Sequence, residues 1–144
     1  MCRYFSATFA AMPRIAAALV LVALILAACA GPSAPEDAGV CFRVDGSPAK
    51  FTALAKGVEN LESCAVMLEG LRLQGHPAPT GAFQGYFIFI GTDAIRSAPS
   101  LHGMRYPVFQ PPQRAAIDKD LRRMMQERGG QLPEAGDLSI ERAH

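Results

Sequence analysis

Fourteen consecutive apolar residues, Ile15 to Ala28, place the main constraint on this chain. As a helix they would reach about 21 Å at ~1.5 Å per residue. The hydrocarbon core of a bilayer is about 30 Å thick, so the run is short for a membrane span. It matches the apolar centre of an export signal, roughly 7–15 residues between a basic start and a small-residue cleavage site. Arg14 supplies the positive charge, and Ala27 and Ala28 supply the small residues. A cleaved signal leaves the fold to the residues C-terminal to it; the alternative is an uncut membrane anchor.

The next residue sharpens the reading. Leu26-Ala27-Ala28-Cys29 resembles the lipobox of bacterial lipoproteins. The resemblance covers roughly residues 12 to 31 and implies nothing about the fold beyond them. It implies diacylglyceryl transfer to the Cys29 thiol, cleavage between Ala28 and Cys29, and acylation of the new amine. One acyl chain binds a membrane marginally, whereas two or more hold it stably. The resemblance thus implies a membrane partner held through N-terminal lipid. Lipoproteins with aspartate after the cysteine are often kept at the inner membrane. Ala30 occupies that position here, which leans toward the outer membrane, facing the periplasm. Residues 1 to 11 carry two phenylalanines and a tyrosine, unusual before a signal, and a start at Met12 gives a more compact one. Both starts would give the same mature product.

The chain has 144 residues and a net charge of +1. Arg3 and Arg14 are the charged residues of the signal; without them 12 cations face 13 acids. That balance lacks the clustered basic excess of a nucleic-acid binder. The 115 residues after Cys29 suit one domain. Eleven prolines and thirteen glycines limit regular structure and predict a small core, of the kind that often needs a covalent staple.

Residues 30 to 39 are small, proline-containing and acidic, and read as a flexible tether. A domain over 40–128 and a polar tail over 129–144 are expected to follow. Val40 to Val44 and Lys50 to Ala55 have strand composition around the Asp45-Gly46 turn pair, which allows a hairpin. Leu61, Cys64, Ala65, Leu68 and Leu71 recur at spacings of three and four, predicting a helix over 60–74. Asn60 suits its cap and Gly75 its end. Gly70 inside it suggests close approach of a strand. His76 to Gly81 reads as a loop, and Gly81 to Gly85 as a turn with a bulge or edge distortion. Gln84 to Ile90 is the strongest strand, and its nearly continuous apolarity points to a central strand covered on both faces, or partly covered by a partner. Ala94 to Ser97 suits a short return strand. Residues 98 to 112 hold four prolines and predict an irregular segment packing Leu101, Tyr106, Val108 and Phe109. A second helix over 113–128 would bury Ile117, Leu121, Met124 and Met125. Asp118 with Arg122, and Arg123 with Glu127, stand at i,i+4 spacing. The expected class is therefore α+β: a small, mainly antiparallel sheet with one helix tied to it and a second C-terminal helix.

Of the four cysteines, Cys2 lies at or before the signal and the resemblance assigns Cys29 to lipid. Cys41 and Cys64 remain, one on a predicted strand and one on the inner face of the first helix. Disulfides persist in oxidising compartments such as the periplasm. A Cys41–Cys64 bridge is expected to pin helix to sheet; the alternative is two buried thiols.

No catalytic motif stands out, and the chain is read as non-enzymatic with no cofactor. The three histidines, His76, His102 and His144, lack metal-ligand spacing to one another or to cysteine. Neither a G-x-S-x-G elbow nor a phosphate-binding G-x-x-x-x-G-K is present. Tyr86 and Phe87 on the aromatic strand, with Arg122 and Arg123 on the second helix, form the candidate interaction surface. Arg114, Lys119 and Arg128 extend the basic side of that helix. The leading expectation is a lipid-anchored envelope protein with a structural or protein-interaction role. The runner-up is a periplasmic module binding a small ligand or envelope polymer through the aromatic strand and the loop of 98–112.

Overall fold

In the computed structural model of the protein, the described residues are 31–132 and 134. The apolar run, Ala28, Cys29 and residues 135–144 lie outside them. The folded unit is α+β, with element order β1 (Val40–Asp45), β2 (Lys50–Lys56), α1 (Leu61–Leu73), β3 (Thr80–Phe83), β4 (Tyr86–Ile90), β5 (Ile95–Ala98), β6 (Tyr106–Pro107) and α2 (Pro111–Glu127). The strands form one antiparallel sheet in the order β2-β1-β3-β4-β5-β6.

Strand register defines two ends of this sheet. At one end lie Val40, Lys56, Phe83, Tyr86 and Ala98; at the other lie Asp45, Lys50, Thr80, Ile90 and Ile95, with Tyr106 and Pro107 of β6 level with Ile88 and Phe89 between them. The chain enters at the first end, where the Gly85 N–H donates to the Pro35 carbonyl at 2.9 Å and the Val58 N–H to Gly39 at 3.0 Å. This entry end also carries the β3–β4 turn. The opposite end carries the β1–β2 and β4–β5 turns and the start of α2.

Alternation sorts the strand side chains onto two faces. Cys41, Phe83, Ile88, Ile90 and Ile95 join α1 and Leu121 of α2 in the larger core. Ala82 and Phe87 face the other way, with Ala34 buried against them and Phe42, Val44, Phe51, Phe89 and Leu101 packed around. Phe51 meets Phe42 edge-on at 6.4 Å and Phe87 at 6.2 Å. The central position of β4, with core on both sides, explains its continuous apolarity. Phe87 is wholly buried there, so its ring is not part of an interaction surface.

The first helix starts where its cap dictates: Asn60 Oδ1 accepts from the Ser63 N–H at 2.8 Å. Every residue from Ser63 to Leu71 is buried, which is more than the single face that the apolar spacing gives. The Cys41–Cys64 disulfide is formed and joins α1 to β1.

Several sequence expectations are corrected. Gly81 to Phe83 is a strand, not a loop or bulge, and Gln84-Gly85 alone makes the turn, both with positive φ. A β carbon at Gly81 would collide with the Leu68 side chain and lie 2.9 Å from the Phe42 carbonyl oxygen, so this strand passes α1 too closely for a side chain. At Gly70 the close neighbour is the Leu132 side chain, not a strand. Packing also extends beyond both expected boundaries. Ala34 is buried, so the tether is docked by that residue, and Leu132 packs on the larger core, so the tail is not wholly polar and free. Tyr106 does not pack inward but is 57% exposed. Among the described residues, no helix is long and apolar enough to cross a membrane.

Candidate functional site

Among the described residues, Glu69 of α1 is the one fully buried carboxylate, and it organises the chemistry between the helices. Arg72, one turn on, donates to Glu69 Oε1 at 2.6 Å. Arg114, in the first turn of α2, donates to the same oxygen at 2.8 Å and to the Gly91 carbonyl at 2.8 Å. Arg72 also reaches Asp118 Oδ2 at 3.3 Å. Two guanidiniums thus surround one carboxylate, the geometry in which charge-assisted hydrogen bonds are strongest.

Burial alone would raise the Glu69 carboxyl, but hydrogen bonds from Arg72 and then Arg114 outweigh it and hold it below its ordinary range. Asp118 is pushed up, first by burial and then by its contact with Glu69. Glu69 is therefore a poor proton acceptor: its charge is already satisfied. The arrangement fits a clamp between α1, α2 and the β4–β5 turn. Arg114 Nη1 and Asp118 Oδ1 are the buried side-chain atoms without a partner among the described residues.

Sequence spacing alone places both α2 residues elsewhere, with Arg114 on a solvated basic face and Asp118 beside Arg122. Instead Arg114 is buried and Asp118 pairs with Arg72. Arg123 pairs with Asp120 at 3.2 Å and not with Glu127. Arg122 and Arg123 are exposed on α2, as a surface role requires. One signal could have located the clamp: Glu69 follows Leu61 and Ala65 at intervals of four, on the buried side of the helix.

Beside the clamp lies a groove of about 250 Å³, lined by Asp93, Arg96, Pro107, Phe109, Gln110 and Arg114 among others. It falls below the roughly 300–1,000 Å³ of a small-ligand pocket. The start of α2 adds little to it as an anion cradle. Pro111 and Pro112 open the helix without N–H groups, and Gln113 Oε1 already accepts from the Gln110 N–H at 2.8 Å.

The second candidate region runs from the entry end of β4 to the β6 edge of the sheet. Tyr86 is 49% exposed and Met104 is 74% exposed. Tyr106 pairs with Ser97 and Ser97 with Ile88, so Tyr106 shares a sheet face with Ile88 and therefore with Tyr86 two residues before it. This is the face that carries the helices. On the reverse face the Arg105 guanidinium sits 3.8 Å from the centre of the Phe89 ring. Of the sequence-predicted surface residues, Tyr86 lies in this region and Phe87 beneath the opposite face; Arg122 and Arg123 belong to α2. No protein-family model, curated protein or solved structure matches the chain.

Proposed function

We propose that this chain is a lipid-anchored cell-envelope protein whose folded domain acts by contact with a partner. The stretch Leu26-Ala27-Ala28-Cys29 carries this reading, through its resemblance to a lipobox. The Cys41–Cys64 disulfide supports it, because such bonds persist in oxidising compartments. A role in contact is supported by the Glu69 carboxylate already held by Arg72 and Arg114, the small groove beside it and, among the described residues, the large apolar side chains of Tyr86, Met104 and Tyr106 left in solvent. The Ala30 position favours the outer membrane.

The test is Cys29→Ser expressed beside the parent chain with radiolabelled palmitate and membrane fractionation. The parent should take up label and sediment with membranes. Cys29→Ser should lose the label and accumulate as longer precursor. Equal membrane association and equal processing of both chains would overturn the proposal.

A further inference from the structure

Resting on that lipid-anchor reading, we infer that the surface running from the entry end of β4 to the β6 edge, Tyr86, Met104 and Tyr106, is a second membrane contact. Its occupant is the headgroup region of the bilayer that holds the acyl chains.

The chain between the lipid anchor and the fold is short. Ala34 is buried against Ala82 and Phe87, and Pro35 accepts from the Gly85 N–H. Five Cα-to-Cα steps, across the four residues Ala30 to Ser33, separate Cys29 from Ala34. Fully extended, they span at most about 18 Å at ~3.6 Å per residue. An acylated Cys29 therefore keeps the β3–β4 turn near the lipid surface, and Tyr86 is the residue after that turn.

The chemistry of these residues suits such a surface. Tyrosine places an apolar ring in the interfacial layer and its hydroxyl in water. Tyr86 at the entry end and Tyr106, level with Ile88 in the middle of β4, lie on one sheet face, with Met104 two residues before Tyr106. Of the acids near the entry end, Glu36 lies against the β3–β4 turn, its Cγ 3.9 Å from a β carbon built on Gly85, while Asp37 and Glu59 flank β1 and β2 beside the exposed Lys56. The groove beside the clamp is at the opposite end of the sheet and would point away from the membrane.

The chain contains no tryptophan, so a single substitution creates a unique reporter. Full-length protein carrying Tyr86→Trp, Tyr106→Trp or Lys50→Trp is purified with its acyl chains, verified by mass. Each is placed in protein-free vesicles of phosphatidylethanolamine and phosphatidylglycerol with brominated acyl chains. Lys50 is an exposed residue at the far end of the sheet. Quenching at positions 86 and 106 should exceed that at 50 by at least twofold. Equal quenching at all three positions in acylated protein overturns the membrane contact and leaves the anchor standing. Shielding of position 86 in native membranes but not in these vesicles also overturns it, in favour of a protein partner. Absence of acyl chains on the mature protein overturns both readings, and the mass shows this before any fluorescence is read.

Discussion

Arg114 Nη2 stands 2.8 Å from Glu69 Oε1, joining the first turn of α2 to the third turn of α1 across 45 residues of sequence. With Arg72 on the same oxygen, this contact holds α2 over the end of the sheet. Removing one partner of a buried pair leaves an uncompensated charge, at a cost of about 3–5 kcal/mol. Arg114→Met should therefore destabilise by that amount in urea unfolding. The double variant Glu69→Met with Arg114→Met should recover most of the loss, since a well-packed apolar pair can replace a buried ion pair. A double variant as unstable as the single one would show that packing around Arg114, not charge, is decisive.

The same clamp sets a pH dependence with two opposing parts. Glu69 is held below its ordinary 4.5, so its contribution is complete above 4.5 and fades as pH falls through the lower folded value. Asp118 is raised above its ordinary 3.8, so its contribution is complete below 3.8 and fades as pH rises through the folded value. Glu69→Gln should flatten the acid limb of stability against pH. Asp118→Asn should compare best with the parent near pH 7 and lose that advantage toward pH 3.8. Urea midpoints measured across this range check both signs.

The Cys41–Cys64 bond closes a loop with a sequence separation of 23. A loop of that size contributes roughly 3 kcal/mol in the chain-entropy view, a large share of the ~5–15 kcal/mol that holds an ordinary domain. Cys41→Ala with Cys64→Ala should lower Tm by at least about 10 °C, on the scale of roughly 4–8 °C per kcal/mol for a domain of this size. Unreduced mature protein should expose neither thiol to an alkylating reagent after denaturation. Uptake at both positions would show free thiols.

Gly81 tests the closeness of α1 to the sheet. Its added β carbon would meet the Leu68 side chain, which can shift, and the Phe42 carbonyl, which is fixed by the β1–β3 ladder. Overpacking of this kind costs about 1–3 kcal/mol. Gly81→Ala should lose that much in urea unfolding, visible as a lower midpoint with an unchanged slope.

Much of this fold is written in periodicity. The spacing of Leu61, Cys64, Leu68 and Leu71 marks α1, and the aromatic run marks β4, because both patterns reflect burial by neighbours in any topology. β3 escapes such reading for a physical reason. Thr80-Gly81-Ala82-Phe83 has little strand preference of its own and forms because small residues are needed where the sheet passes under Leu68. The clamp escapes it because a charged side chain reads as solvated unless its partners are known, and those partners lie 45 and 46 residues away. The docking of Ala34 is equally hidden: a small residue in a proline-rich stretch signals mobility until a surface is supplied for it.

The β3–β4 turn supplies the last prediction. Gln84 and Gly85 both have positive φ, 44° and 81°, as a two-residue type I′ hairpin requires. Asparagine and glycine accept that conformation readily, whereas glutamine, with its longer side chain, is disfavoured there. Gln84→Asn should therefore stabilise the domain in urea unfolding, by part of the ~1–3 kcal/mol that a non-glycine residue costs in the left-handed region. Gln84→Val, β-branched in the same backbone, should destabilise it by more than that. The turn also holds the entry segment through the Gly85 N–H and the Pro35 carbonyl. Hydrogen exchange at Gly85 should accordingly slow in Gln84→Asn and quicken in Gln84→Val. If Gln84→Asn left both the midpoint and that exchange rate unchanged, the strain assigned to Gln84 would be absent in solution.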